Sequence, residues 1–434
     1  MTRKVNRYSK LRGEISPPGD KSISHRALIL NSVANGEAKI TNLAPGGDVR
    51  KSTARCLVHL GAIISMDSSM PDTAIVHGRG IDGLREPARV LYAGNSGTTI
   101  RLLMGLLAAG SFLSIITGDS SLRARPMDRV VQPLRSMGAE IWGRDHDRLA
   151  PLAINGRRLR GIDYTLPIPS AQLKSAILIA GLFAEGKTTI RELAHSRDHT
   201  ERLLCAMGVK IDSNDDSITV IPPDTSLTSI DMCIPGDISS AACWLVAGAI
   251  HPNAHITVRN VGVNPTRTGI IDVLMLMGAK LKITNQHMEG GEPIADITVE
   301  SSDLRGTQIS GELIPRLIDE IPLIAVAASA AQGKTTIYNA KELRVKESDR
   351  IATTAEELSK LGAKIQEMPD GMVIHGSRSL RGALCRSHND HRLAMAIAIA
   401  GLITTGEQTR VHQDNAVCIS YPTFWEDLDK LGGE

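Results

Sequence analysis

Apolar residues in this 434-residue chain fall into segments of two kinds that alternate from end to end. Ala27–Val33, Leu102–Ala109, Gln172–Ala184 and Leu393–Ile403 are apolar at helical density, and each predicts a helix. Ala38–Asn42, Thr188–Glu192, Ile256–Asn260 and Thr335–Asn339 alternate apolar and polar positions, and each predicts a strand. The punctuation between them recurs. An apolar residue, a glycine and a small residue close a periodic segment at Leu60-Gly61-Ala62, Met137-Gly138-Ala139, Met207-Gly208-Val209, Met277-Gly278-Ala279, Leu361-Gly362-Ala363 and Leu431-Gly432-Gly433. These glycines predict the left-handed residue that follows a helix.

The glycines are spaced 77, 70, 70, 84 and 70 residues apart. A second mark, the end of a more apolar helix before a strand, precedes each by 22 to 29 residues, at Asn35-Gly36, Ala109-Gly110, Glu185-Gly186, His251-Pro252, Gln332-Gly333 and Thr405-Gly406. A third, seen in Leu159-Arg160-Gly161, Leu304-Arg305-Gly306 and Leu380-Arg381-Gly382, follows the strands. The unit is helix–strand–helix–strand–strand, about 70 residues long and present six times, with helices that pack together beneath sheets.

The length calls for more than one domain. Hydrophobic content of 42% supports a large core, and with 3% aromatics that core is built from aliphatic side chains. A net charge of +2 and few stacking residues argue against nucleic acid. The six cysteines are scattered without a Cys-x-x-Cys, which suits reduced core thiols in a cytoplasmic protein. No apolar run is long enough to span a bilayer, and the basic N-terminus lacks a signal-peptide apolar region.

The repeat disposes of several motifs. Gly181–Thr188 fits a phosphate-binding loop, but closes a helix and opens a strand, the reverse of that motif's context. Gly78–Gly83 fits a dinucleotide fingerprint, but is a strand-end turn with no helix after it. His195/His199 and His388/His391 lack a third ligand, so no metal and no cofactor are expected.

Chemistry is sought where the repeats differ. In Gly19-Asp20-Lys21-Ser22-Ile23-Ser24-His25-Arg26, Asp20 and Ser22 are N-cap types, and a helix start with two mobile cations is an anion site as well as an ordinary solvated helix start. Gly94-Asn95-Ser96-Gly97-Thr98 is bare backbone at a helix start, or simply a tight turn. Arg125-Pro126 places Pro126 at a helix N1 position. Ser170 caps the next helix, with Gln172 and Lys174 in its first turn, where a lysine opposes the helix dipole and hints at an anion. Arg344–Arg350, Asn389–Arg392 and Asp319-Glu320 cluster charge beside apolar helices, as an ion-pair network or as a site. Many cations with two candidate carboxylates, Asp319 and Glu347, suit general acid–base transfer between phosphorylated small molecules.

These motifs, over essentially the whole chain, resemble the 3-phosphoshikimate 1-carboxyvinyltransferase family, in its less common subgroup with Ser170-Ala171-Gln172-x-Lys174. The resemblance implies an α/β fold: a two-domain inside-out α/β barrel, the enolpyruvyl transferase fold, with three repeats per domain. One domain would be residues 21–235 and the other 236–434 with 1–20, with the site between them; independently, cation stretches in both halves of the repeat array predict closure driven by substrate. It implies transfer of the enolpyruvyl group of phosphoenolpyruvate to the 5-hydroxyl of shikimate 3-phosphate, a step of the shikimate pathway to chorismate and the aromatic amino acids, in a cytoplasmic monomer. Lys21, Ser22, Arg26, Ser170, Gln172, Lys346 and Arg197 would hold shikimate 3-phosphate. Gly97, Arg125, Arg350 and Arg392 would hold phosphoenolpyruvate, with Asn95 beside them and Lys21 near both substrates and counted with the catalytic residues. Asp319 would be the general base, and Glu347 would protonate the methylene carbon. Leu102 stands where a proline is common, and Cys418–Pro422 lacks a lysine that many members use. The related UDP-N-acetylglucosamine enolpyruvyl transferases usually carry a reactive cysteine where Ser111–Arg125 has none.

Overall fold

In the computed structural model, residues 1–66, 70–214, 216–224, 226–377 and 379–433 are described. They divide into two compact units. The N-terminal unit comprises Gly19–Ile234 with Met288–Glu292, and the C-terminal unit comprises Met1–Pro18, Pro235–His287 and Pro293–Glu434.

Each unit is built on three apolar helices. In the N-terminal unit they are α1 (Lys21–Ser32), α2 (Gly97–Ala109) and α3 (Ala171–Gly181). In the C-terminal unit they are α4 (Ile238–Ile250), α5 (Ile321–Ala330) and α6 (His391–Gly401). Long stretches of each are buried on every side, such as Ile238–Ala249 in α4 and Ile321–Ser329 in α5. A helix with no wet face belongs at the centre of a core. The amphipathic helices between them, such as Asp128–Ser136 and Arg350–Lys360, bury one side only.

Sheets cover these helices. In the first, Met232–Cys233 runs parallel to Asn35–Thr41, which is antiparallel to Ala74–Arg79, which in turn pairs with Ile63–Met66. Four more sheets repeat this order of lead-in, central, last and next-to-last strand. Two lead-in strands are exchanged. Leu11–Ile15, just before α1, pairs with Ala254–Gly262 of the C-terminal unit, whereas Met232–Cys233, just before α4, pairs back into the N-terminal unit. Each unit therefore closes on itself where the chain passes from one to the other. The sixth sheet has three strands, Leu384–Arg386, Arg410–His412 and Thr2–Lys4, and the chain's first strand takes the antiparallel place that a last strand fills elsewhere.

Five of the six predicted helix-closing glycines, Gly61, Gly138, Gly208, Gly278 and Gly362, have positive φ, the conformation in which a side chain is strained. The sixth site differs: Leu431-Gly432-Gly433 lies inside the helix Phe424–Gly433. Pro126 also differs from its predicted place. The helix begins at Asp128 with Met127 as its cap, so Pro126 ends the approach to the helix.

Candidate active site

In the N-terminal unit the site is made by three helix starts tied to one another. Asp20 caps α1, accepting the Ile23 N–H at 2.9 Å. Ser96 caps α2 and Ser170 caps α3, accepting the Thr99 and Leu173 amides at 3.1 and 3.4 Å. The positive ends of three helix dipoles and their first-turn N–H groups are thus fixed within one unit.

Side chains lock the three together. His25 Nδ1 lies 2.7 Å from Thr53 Oγ1, which lies 2.7 Å from Thr99 Oγ1, joining α1 to α2. Gln172 donates to Thr98 Oγ1 at 2.9 Å and accepts from Arg101 at 2.6 Å, joining α2 to α3. Arg26 donates to Ser175 Oγ at 2.6 Å, joining α1 to α3.

Arg26 is not the mobile cation expected. It is buried, and donates also to Thr200 Oγ1 at 2.7 Å and the Ser22 carbonyl at 2.8 Å. None of these partners is charged. Burial, against the pull of Glu201, brings its pKa down to about 10, so it stays a cation at neutral pH. Lys21, at the first position of α1, pairs with Asp48 at 3.3 Å. Arg125 donates to Asn95 Oδ1 at 2.5 Å. Gly97 opens α2 beneath it: a Cβ there would stand 3.0 Å from Arg101 Nη1 and 3.5 Å from Arg125 Nη1, which explains a glycine at a helix start. Lys174 faces inward to Glu192 and Glu201 at 2.9 and 2.7 Å, so the anions that answer its position against the dipole are the protein's own. Arg197 follows Ser196, whose N–H and hydroxyl both bond Glu192.

The C-terminal unit organises its predicted residues around one guanidinium. Apolar sequence from Leu313 to Ala330 is broken between Leu313–Leu317 and α5, so Asp319 and Glu320 stand at the start of a buried helix. Arg350, whose side chain is 1% exposed, opens the helix after Glu347. It bonds Asp390 at 2.8 Å, Glu347 at 2.7 Å and Asp319 at 3.2 Å. Burial opposes its charge, but Asp390, Glu347 and Asp319 outweigh it and raise the pKa. Burial would likewise raise Asp390, yet Arg350 holds its carboxyl below the usual range. Lys346 lies 3.8 Å and Arg392 3.9 Å from Asp319, and Arg392 lies 4.0 Å from Glu320. Ser239 of α4 donates to Glu320 and accepts from Arg267 at 2.8 Å, tying α4 to α5. Asp319, Lys346, Glu347, Arg350 and Arg392 are therefore one connected cluster.

Several members escaped the sequence. Asp48 sits in a polar turn with no signature. Arg101, Thr200 and Ser175 look like ordinary helix residues. Asp390 was visible in Asn389–Arg392 and as an N-cap type, but its ion pair with Arg350 was not. Of the histidines weighed as metal pairs, His199 is buried against Glu292 at 2.7 Å. His388 stands near Glu356 and Glu357, and Lys360 already bonds both carboxylates at 2.9 and 2.8 Å. Among the described residues no helix is long and apolar enough to cross a membrane.

Comparison with known proteins follows the same lines. The family model described as EPSP synthase (3-phosphoshikimate 1-carboxyvinyltransferase) matches residues 5–428. The 3-phosphoshikimate 1-carboxyvinyltransferase of Herpetosiphon aurantiacus is 51% identical over 433 residues, covering 99% of each chain. That of Gloeothece citriformis is 54% identical over 424 residues, covering 97% of this chain and 94% of its own. The EPSP synthase structure from Acinetobacter baumannii superposes with a TM-score of 0.90 at 40% identity, over 99% of this chain and 98% of its own. The enolpyruvyl transferase NikO from Streptomyces tendae shares the fold, with a TM-score of 0.79 at 19% identity over 99% of this chain and 97% of its own.

Proposed function

The chain belongs to the EPSP synthase (3-phosphoshikimate 1-carboxyvinyltransferase) family, and from that premise we infer that it transfers the enolpyruvyl group of phosphoenolpyruvate to the 5-hydroxyl of shikimate 3-phosphate, releasing phosphate. The fold is that of the enolpyruvyl transferases, six α/β repeats in two domains. We take residues 21–235 as one domain and 236–434 with 1–20 as the other, a division that the compact units support. Work in the cytoplasm and as a monomer is part of the same reading.

The observation that carries the residue roles is the shared guanidinium of Arg350, which holds Asp319 and Glu347 by separate bonds. Addition–elimination needs one carboxylate that takes a proton and one carboxyl that gives one. Asp319, next to Lys346, Arg350 and Arg392, has the role of the base that removes the 5-hydroxyl proton. The cluster holds four carboxylates, Asp319, Glu320, Glu347 and Asp390, and Glu347 is the one assigned to carry the transferred proton. Glu347 has the most exposed side chain of the four. It delivers that proton to the methylene carbon, and the tetrahedral intermediate then loses phosphate together with a proton from the new methyl group, which restores the enol double bond.

Lys21, Ser22, Arg26, Ser170, Gln172, Arg197 and Lys346 hold shikimate 3-phosphate. Gly97, Asn95, Arg125, Arg350 and Arg392 serve phosphoenolpyruvate. Helix N-termini with a buried arginine whose hydrogen-bond partners are all neutral suit a phosphate dianion.

The test is phosphate release from phosphoenolpyruvate with either shikimate 3-phosphate or UDP-N-acetylglucosamine as acceptor. Release with shikimate 3-phosphate alone is expected. Release with the sugar nucleotide instead overturns the acceptor, and silence with both overturns the residue roles.

A further inference from the structure

Lys174 is the least expected charge in the N-terminal unit. Its side chain is 1% exposed, in the first turn of α3 where the dipole disfavours a cation. Its ammonium meets Glu192 at 2.9 Å, Glu201 at 2.7 Å and the Ser196 carbonyl at 3.2 Å. Such a buried ion triad adds little stability over apolar side chains of the same volume, since desolvation offsets the attraction, but breaking it strands a buried charge. What it supplies is geometry. Glu192 accepts from the Ser196 hydroxyl at 2.6 Å and its N–H at 3.3 Å, fixing the residue before Arg197. Glu201 follows Thr200, which takes Arg26 Nε at 2.7 Å. Ser175, next to Lys174 on α3, takes Arg26 Nη2 at 2.6 Å and lies 2.7 Å from Thr200 Oγ1.

Three chain segments therefore meet at one ammonium: α3 with Ser170 and Gln172, the 192–197 loop with Arg197, and the helix His199–Ala206 that grips Arg26. Resting on the acceptor reading above, we propose that Lys174 is a positioning residue for shikimate 3-phosphate, setting Arg197 and Arg26 around the acceptor's phosphate without touching it. The ammonium remains charged in this role: burial would lower its pKa, but Glu201 and Glu192 outweigh burial and raise it. Glu201 is itself pushed up by burial, against the pull of Lys174.

The test compares full-length Lys174→Met and Glu192→Gln with the unaltered chain in steady-state assays that vary each substrate, alongside thermal melting. Misplacing phosphate contacts by about an ångström is expected to raise KM for shikimate 3-phosphate roughly tenfold or more in Lys174→Met. Glu192→Gln, which keeps an acceptor for Ser196 but loses its charge, should show a smaller rise in the same parameter. KM for phosphoenolpyruvate and kcat should stay near their original values in both. A purely structural role would lower the melting temperature and the active fraction, seen in kcat, and leave KM for shikimate 3-phosphate unmoved; that result overturns the proposal. If Lys174→Met does not fold, Glu192→Gln decides alone. An unaltered chain silent with shikimate 3-phosphate overturns the acceptor reading, and this proposal with it, whereas active parent enzyme with variants of unchanged KM overturns only the role of Lys174.

Discussion

Both units bury an arginine within the first two turns of a helix, and the two are treated oppositely. Arg26 bonds Ser175, Thr200 and the Ser22 carbonyl, all neutral. Arg350 bonds Asp319, Glu347 and Asp390, all carboxylates. A guanidinium held by dipoles keeps its charge for a ligand, which suits binding a phosphate. A guanidinium held by carboxylates spends its charge on fixing them, which suits orienting groups that move protons. On the roles proposed above, the N-terminal unit mainly binds, and the C-terminal unit adds the carboxylates that move protons.

If that division is right, substitutions in the two units should separate in kinetics. Asp319→Asn and Glu347→Gln keep the shape around Arg350 and remove the proton chemistry. Each should lower kcat by about 10²- to 10⁴-fold, the usual worth of a positioned acid or base, with little change in melting temperature. Ser22→Ala, at the start of α1, should instead raise KM for shikimate 3-phosphate and spare kcat. Phosphate-release kinetics read both. A large melting loss in the carboxylate variants with kcat preserved would mean that the Arg350 cluster is an ion-pair brace.

Stability should separate the two arginines as well. Arg350→Met leaves three carboxylates facing one another, Asp390 among them with a side chain 0% exposed. Removing one partner of a buried charge pair costs about 3–5 kcal/mol. Arg26→Met leaves only hydroxyls, and Ser175 and Thr200 already lie 2.7 Å apart and can bond each other. That loss should stay at about 1–3 kcal/mol. Denaturant titration of the two variants measures the gap, and equal losses would erase the contrast.

The contrast also marks how far the sequence could be read. The repeats were visible because helix-closing glycines and apolar helices are local signals, and positive φ at Gly61 or Gly278 reflects a local need. The exchange of Leu11–Ile15 and Met232–Cys233 between sheets was not, since a strand's partner is set by packing far along the chain. The same holds in the site. Lys21, Ser170 and Glu347 stand in recognisable motifs. Asp48 and Thr200 act through partners far along the chain, and Glu192 through Lys174 as well as its neighbour Ser196, and nothing in their neighbours announces it. The repeat also misled once: at Gly432 the motif is present but the turn is not, since Gly432 lies within the helix Phe424–Gly433.

The smallest expected difference lies in acid. His25 is fully buried on α1 against Thr53, and burial above all pushes its pKa down to about 3, with Lys21 and Arg26 adding to the shift and Asp48 and Asp20 opposing it. An unfolded histidine titrates near 6.5. Between those values the unfolded chain binds a proton that the folded unit refuses, so stability is complete above about pH 6.5 and falls as pH drops towards 3. At pH 5 the loss is about 2 kcal/mol, from roughly 1.5 pH units at about 1.36 kcal/mol each. In the C-terminal unit Arg350 holds Asp390 below the ordinary carboxylate range, so its protonation threatens stability only in stronger acid. Melting at pH 7 and pH 5 should therefore show a drop that His25→Gln largely removes, whatever its own cost at pH 7. An equal drop in the variant would place the acid-sensitive group elsewhere, and with it the first unit to yield.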